Sequence, residues 1–201
     1  KPAEVCTKTR AHSEISCSGC HTSWVSSCVG CHNSFDKNQP GYDLLRNTDV
    51  TGTWTESKGT FIARLPALGV RKSGQKIEYI PVIQGMSLTI DKKSYTHNPA
   101  DSVIFHRLFA PVAPHTTSLK GRTCKSCHND SFTLGYGQGN LQYIISNGKG
   151  RWQFTPELKP DPNDGLPTDS WTGFLSSRDG IVSTRSDVFP LDLQQQRKIL
   201  M

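Results

Sequence analysis

The sequence predicts a mostly irregular fold, with short helices and a small antiparallel β-sheet, built around a core that its own side chains do not supply. Three observations lead there. Only 34% of the 201 residues are hydrophobic and 8% aromatic, against 17 glycines and 12 prolines, where a chain of this length ordinarily builds a larger apolar core. One pentapeptide, Cys-x-x-Cys-His, occurs three times, at Cys17–His21, Cys28–His32 and Cys124–His128. Strand-like runs are short and concentrated in residues 59–95 and 136–155.

The pentapeptide carries the chemistry. Six of the seven cysteines lie in its three copies, and Cys6 is left over. A disulfide framework gives no reason for a histidine after every second cysteine. Zinc ribbons use Cys-x-x-Cys knuckles, but they place roughly 15–20 residues between them. Here seven residues separate Cys20 from Cys28, and the third copy has no second knuckle. Thioredoxin-like exchange explains neither the repetition nor the histidine. Covalent c-type haem attachment explains both. Two thiols add to the two vinyl groups of one porphyrin, and the following histidine becomes the proximal iron ligand. The expectation is three haem c groups. One is held by Cys17, Cys20 and His21, one by Cys28, Cys31 and His32, and one by Cys124, Cys127 and His128. Stacked, they would fill the core.

Four histidines remain for the sixth position: His12, His97, His106 and His115. The only methionines are Met86 and Met201, so bis-His ligation, with its comparatively low potential, is the economical choice. His12 stands five residues before Cys17 and His115 nine before Cys124. Both are too close to ligate their own haem comfortably, so each is expected to reach a neighbouring one. Four candidates for three irons leave no iron necessarily open, which favours an electron carrier over an enzyme. A reductase or oxidase with one open haem is the alternative. The surplus histidine is an ordinary residue, a ligand to a haem in another chain, or a ligand to a haem of a longer chain. Cys6 is a buried free thiol, an intermolecular disulfide partner or, in the enzyme reading, a ligand or redox thiol.

Element by element, residues 1–35 form a di-haem segment, whose eleven-residue step from His21 to His32 brings two haems into near contact. Residues 36–95 hold a loop and a small β-meander. The Asn-, Gly- and Thr-rich stretch 36–58 reads as loop. "TFIARL", "KIEYIPV" and "SLTID" give three or four strands, with Pro66 and Pro81 at edges or ends. Residues 96–135 carry three spare histidines and the third haem, with "PADSVIFHRLF" as a short helix. Residues 136–201 give a hairpin of "LQYIIS" and "RWQFTP" around "NGKG", a loop over 156–187, and a terminal helix in "PLDLQQQRKILM". There Pro190 suits the first turn and Asp192 the N-terminal end. All four segments are expected in one haem-centred domain.

The formal charge of +6 in isolation suggests an anionic partner. No run of Lys or Arg exceeds two residues, so a nucleic-acid interface is not expected, and two propionates per haem offset the charge. No apolar stretch approaches the roughly 18–20 residues of a membrane span. No signal peptide is present, and the terminal helix lacks a C-terminal cap. The expectation is a chain that begins after cleavage of an export signal, or a fragment of a longer cytochrome.

The three pentapeptides resemble those of multihaem c-type cytochromes. "APHTTSLKGRTCKSCHND", followed by "LGYGQGNL", resembles a recurring segment of periplasmic and outer-surface multihaem cytochromes of anaerobic respiring bacteria. "PALGVRKSGQKIEYIPVIQGM", "DGLPTDSW" and "TRSDVFPLDLQQQRKIL" are similar to other parts of that group. The resemblance covers about half the chain. It implies a multihaem cytochrome c fold and electron transfer through closely spaced bis-His haems, on a chain exported to the periplasm or the cell exterior. Some members of the group polymerise into filaments in which a histidine of one subunit ligates a haem of the next. The implied partners are redox proteins, copies of this chain or other multihaem subunits. A soluble periplasmic shuttle is the simpler version of the same function.

Overall fold

The computed structural model describes residues 10–92, 103–113, 116–176 and 186–200. A 3-10 turn at Arg10–His12 leads into helix α1 (Cys17–His21). Strands β1 (Val25–Asp43), β2 (Thr48–Arg64), β3 (Ala67–Ser73), β4 (Lys76–Asp91) and β5 (Val103–Pro111) follow. Helix α2 (Cys124–His128), the hairpin strands β6 (Gly139–Ser146) and β7 (Lys149–Pro156), strand β8 (Val188–Phe189) and helix α3 (Leu193–Ile199) complete the order. The expected fold class is therefore corrected. The described residues form mostly β-structure in two sheets, not an irregular chain around a haem stack.

Two stretches account for much of the difference. Of residues 36–58, expected as loop, 36–43 belong to β1 and 48–58 to β2, and only 44–47 form a turn. Five threonines lie in Thr48–Arg64 together with Val50, Trp54, Phe61 and Ile62, and β-branched and aromatic side chains favour extended backbone. Strands β1 and β2 pair antiparallel from Val25↔Arg64 to Asp43↔Thr48, with a bulge between Asp36 and Pro40. At the tip, Asp43 Oδ1 accepts from the backbone N–H of Leu45 and Arg46 at 2.9 and 3.1 Å. Asn47 completes the turn at φ 53°, a conformation that asparagine tolerates. The expected helix in "PADSVIFHRLF" is also corrected, because Val103–Pro111 is strand β5. Its Val-Ile-Phe start pairs with β4 as Asp91↔Val103, Ile90↔Ile104 and Thr89↔Phe105.

Strand β4 is the shared element of the larger sheet, whose order is β2-β1-β4-β3-β8 with β5 also on β4. Lys76–Val82 pairs with β3. Leu88–Asp91 pairs parallel with β1 and antiparallel with β5. Residues of β3 and β4 are buried on both faces. Ala67, Ile80 and Val82 pack with Trp171 and Val188, while Val70 packs with Leu134, Tyr136 and Leu191. Trp171 and Tyr136 are fully buried. Each aromatic of this size removes enough apolar surface to contribute about 4–6 kcal/mol as an upper bound.

The core is thus built from protein side chains, and the low hydrophobic fraction has another explanation. The β1–β2 hairpin is largely exposed and makes little demand on apolar residues. The core also admits hydrogen-bonded polar side chains, including Ser131, Thr133, Asp169 and Thr172. Trp171 and Thr172 both donate backbone N–H to the Gly135 carbonyl, at 2.6 and 2.9 Å. Arg107 and Asp164 form a buried ion pair, with Nε to Oδ2 at 2.6 Å and Nη2 to Oδ1 at 2.8 Å. The same guanidinium donates to the carbonyls of Leu166, Thr168 and Ser170. The approach of residues 135–138 to Asp169 requires glycine at 137. Gly137 has φ 87°, and a Cβ there would lie 2.3 Å from Asp169 Oδ1.

Two expected elements near the C-terminus are present. Strands β6 and β7 form the hairpin, closed by Asn147 and Gly148 at φ 53° and 72°, the pattern of a type I′ turn. Helix α3 is capped by Asp192, whose side chain accepts from Gln195 N–H while the Gln195 side chain accepts from Asp192 N–H.

Candidate functional site

The first and third pentapeptides fold alike. Ser16, extended at φ −69° and ψ 154°, caps α1, and its Oγ accepts from Gly19 N–H at 2.9 Å. Thr123, at φ −75° and ψ 158°, caps α2, and its Oγ1 accepts from Ser126 N–H at 3.3 Å. Hydroxyl residues at this position satisfy the free donors of the first turn. One helical turn places positions i, i+3 and i+4 on one face. Cys17, Cys20 and His21 therefore share a face of α1, and Cys124, Cys127 and His128 share a face of α2. None of the six cysteines of the pentapeptides is in a disulfide. Cys17 and Cys124 are exposed, and Cys20, Cys28, Cys31 and Cys127 partly so.

Both histidines are oriented by the backbone. His21 Nδ1 lies 2.9 Å from the Ser118 carbonyl oxygen, and His128 Nδ1 lies 2.5 Å from that of Ile199. A carbonyl oxygen only accepts, so each Nδ1 carries a proton, and in the neutral ring the lone pair then sits on Nε2. This is the arrangement that fixes tautomer and ring plane in metal-ligating histidines. Ser118 and Ile199 were not singled out by sequence. The signal is absent there, because a backbone carbonyl serves this purpose whatever its side chain.

The first and third motifs are joined through residues 116–122, which run against residues 20–23. Ser23 N–H donates to Thr116 O at 3.1 Å, Ser118 N–H to His21 O at 2.7 Å, and Arg122 N–H to Cys20 O at 2.8 Å. Arg122 was also missed by sequence. Its Nη1 donates to Pro66 O, and its Nη2 to Ser126 O and Thr133 Oγ1. Its Nε is buried without a partner. Burial holds its pKa below the ordinary arginine value, while the neighbouring Cys127, Asp130 and Cys20 pull it upward. Burial pushes the Cys127 thiol up, partly countered by the Arg122 charge. A thiol kept protonated in this way is a poor redox nucleophile.

The second motif is built differently. Cys28–His32 lies inside β1. The pairing continues on one register from Cys28↔Phe61 and Val29↔Thr60 to Cys31↔Lys58, across Gly30 at φ 80°, and three positions along a strand set Cys28 and Cys31 toward opposite faces of the sheet. Cys31 Sγ donates to Glu56 Oε1 at 3.0 Å. That bond, and then burial, pushes its thiol pKa up. In this conformation the two thiols do not converge on one porphyrin edge. Val25–His32 runs extended, which at about 3.3 Å per residue spreads over roughly 23 Å.

Of the remaining histidines, His12 and His106 are described, while His97, His115 and Cys6 lie outside the described residues. The His12 ring centre lies 6.1 Å from that of His128, with the planes at 82°. His106 in β5 and Cys31 in β1 both stand opposite Leu88 of β4. They share a sheet face with one strand between them, about 10 Å apart. His106 Nδ1 is buried without a hydrogen-bond partner.

Among the described residues, no three His, Cys, Asp or Glu side chains converge as they would on an ion held by protein alone. A haem iron asks less of the chain, since the porphyrin nitrogens supply its equatorial donors. On the geometry given, α1 and α2 fit the protein side of a c-type haem, and the β1 motif in its extended form does not. Compared with known families, curated proteins and solved structures, the chain matches none.

Proposed function

We propose that this chain is an electron-transfer protein carrying c-type haem. Two attachment sites are pre-shaped: Cys17, Cys20 and His21 on α1, and Cys124, Cys127 and His128 on α2. Cys28, Cys31 and His32 form a third, which needs β1 to open locally before it can load. The observation that carries the reading is the repeated histidine geometry. In each helical motif two thiols and an imidazole share one face, and a backbone carbonyl engages Nδ1, which leaves Nε2 as the ring's ligating nitrogen.

Bound haem would supply an iron that gains and loses one electron. The chain's own part is attachment, orientation and charge. The cysteines anchor the porphyrin edge, and the Ser118 and Ile199 carbonyls hold the proximal rings and strengthen them as donors. Arg122, partly buried with a free Nε–H, sets a positive charge between the two helical motifs. Haem attachment of this kind is consistent with an exported chain, periplasmic or extracellular. Redox proteins or further copies of the chain would then be its partners.

Maturation in a host with a c-type haem ligation system, followed by intact-mass analysis, tests the reading. Three covalent haems are expected, with one lost in each of Cys17→Ala/Cys20→Ala, Cys28→Ala/Cys31→Ala and Cys124→Ala/Cys127→Ala. A fully matured chain without covalent haem would overturn it. Low-spin irons throughout would support a carrier, whereas a high-spin resting iron would favour catalysis.

A further inference from the structure

We propose that His12 is the sixth ligand of the iron held by Cys124, Cys127 and His128, so that the first haem segment closes the coordination of the third. The inference rests on the haem reading above and adds a ligand assignment to it.

Three observations converge. The first is distance. With metal–imidazole bonds of about 2 Å and about 1 Å from each nitrogen to its ring centre, two imidazoles on opposite sides of one ion have centres about 6 Å apart. The His12 and His128 ring centres are 6.1 Å apart, nearly perpendicular in plane. The second is tautomer. His128 spends Nδ1 on the Ile199 carbonyl, which leaves Nε2 as its ligating atom. The third is placement. The segment that carries His12 is tied to the sheet: Tyr79 N–H donates to Glu14 O at 2.8 Å, Ser16 N–H to Tyr79 O at 2.9 Å, and Ile15 N–H to His12 O at 3.2 Å. The joint between residues 20–23 and 116–122 ties Arg122, two residues before α2, to Cys20, and the ring contact itself sets His128 of α2 against the segment that carries His12. His12 is thereby directed to the neighbouring motif instead of the one five residues after it.

The consequence is a haem shared between distant parts of one chain, bonded to α2 and capped from the N-terminal segment. The test uses the matured holo-protein as wild type and as His12→Ala, each also in a Cys124→Ala/Cys127→Ala background. Intact mass counts the haems. Electron paramagnetic resonance and magnetic circular dichroism of the ferric protein report spin state. In the complete chain, His12→Ala is expected to keep its haem count and convert one iron from low to high spin, with added imidazole restoring low spin. In the background without the third haem, His12→Ala is expected to change no spin state. The assignment is overturned if His12→Ala leaves every iron low-spin, or if it creates a high-spin iron in the chain lacking the third haem. Should His12→Ala fail to accumulate, His12→Met serves instead. It is expected to keep that iron low-spin while raising its potential, and an unchanged potential would overturn the assignment. Absence of covalent haem from the wild type is a separate outcome, which removes the haem reading and the assignment together.

Discussion

His128 Nδ1 donates to the carbonyl oxygen of Ile199, 2.5 Å away and 71 residues along the chain. The third pentapeptide is therefore oriented by the last turn of α3. That helix is itself fixed by Gln196, which is fully buried. Its Oε1 accepts from Tyr136 O–H at 3.1 Å, and its Nε2 donates to Leu191 O, Thr172 Oγ1 and Ser176 O at 2.9–3.3 Å.

Gln196→Leu strips these partners at once and takes from the buried Tyr136 hydroxyl the acceptor of its proton, leaving it only its bond to the Leu175 backbone. A loss of about 2–4 kcal/mol is expected, since an orphaned buried polar group costs its full desolvation. Urea unfolding should show a lower midpoint with an unchanged slope. A wild-type midpoint would mean that α3 does not depend on this network.

The Arg107–Asp164 pair predicts an asymmetric result. Both side chains are nearly inaccessible, at 3% and 6% exposure. Removing one partner leaves an uncompensated buried charge, so Arg107→Leu or Asp164→Leu should each cost about 3–5 kcal/mol. The double variant should cost less than the two single losses added together, as a denaturation-based double-mutant cycle would measure. Strict additivity would show that the two side chains act independently.

Asp169 predicts a pH dependence. Burial raises its pKa above the ordinary 3.8, against the backbone N–H of Gln138 that lowers it. The folded state then holds more protons than the unfolded one between 3.8 and the raised value. Its contribution is complete below that window and falls as pH rises through it. Subtracting the unfolding free energy of Asp169→Asn from that of wild type, pH by pH, should give a difference that declines across the window and then levels off. A difference that rises with pH would reverse the assignment.

The second pentapeptide predicts local remodelling. Cys28 and Cys31 on opposite faces of β1 cannot both bond one porphyrin edge. Loading should therefore break the pairing of Cys28–His32 with Ser57–Phe61. Hydrogen exchange on the matured chain should be faster at these amides than in Cys28→Ala/Cys31→Ala. Equal protection, with the second haem shown by mass to be attached, would contradict the need for opening.

Legibility in the sequence followed the range of the interactions. The β6–β7 hairpin was readable because Asn147-Gly148 and the flanking apolar residues act within a few positions. The α3 helix was readable from Asp192 for the same reason. Residues 48–58 of β2 misled because threonine was grouped with asparagine and glycine, although its branched Cβ favours strand. Val103–Pro111 misled because nine residues of mixed apolar character fit either period until β4 pairs with them. The cysteines and histidines of the candidate site were visible as a motif. The carbonyls of Ser118 and Ile199, the guanidinium of Arg122 and the meeting of His12 with His128 were not, since each depends on chain segments far apart in sequence.

The joint between His21 and Ser118 spans 97 residues, and this separation bears on the order of folding. Closing so long a loop is entropically slow compared with turning a hairpin. During synthesis the α1 and α2 motifs would remain strangers, each shaped only by its own cap. Their partnership would be among the last features acquired. A variant that weakens residues 116–122 should therefore delay the final folding phase and leave the earlier ones unchanged.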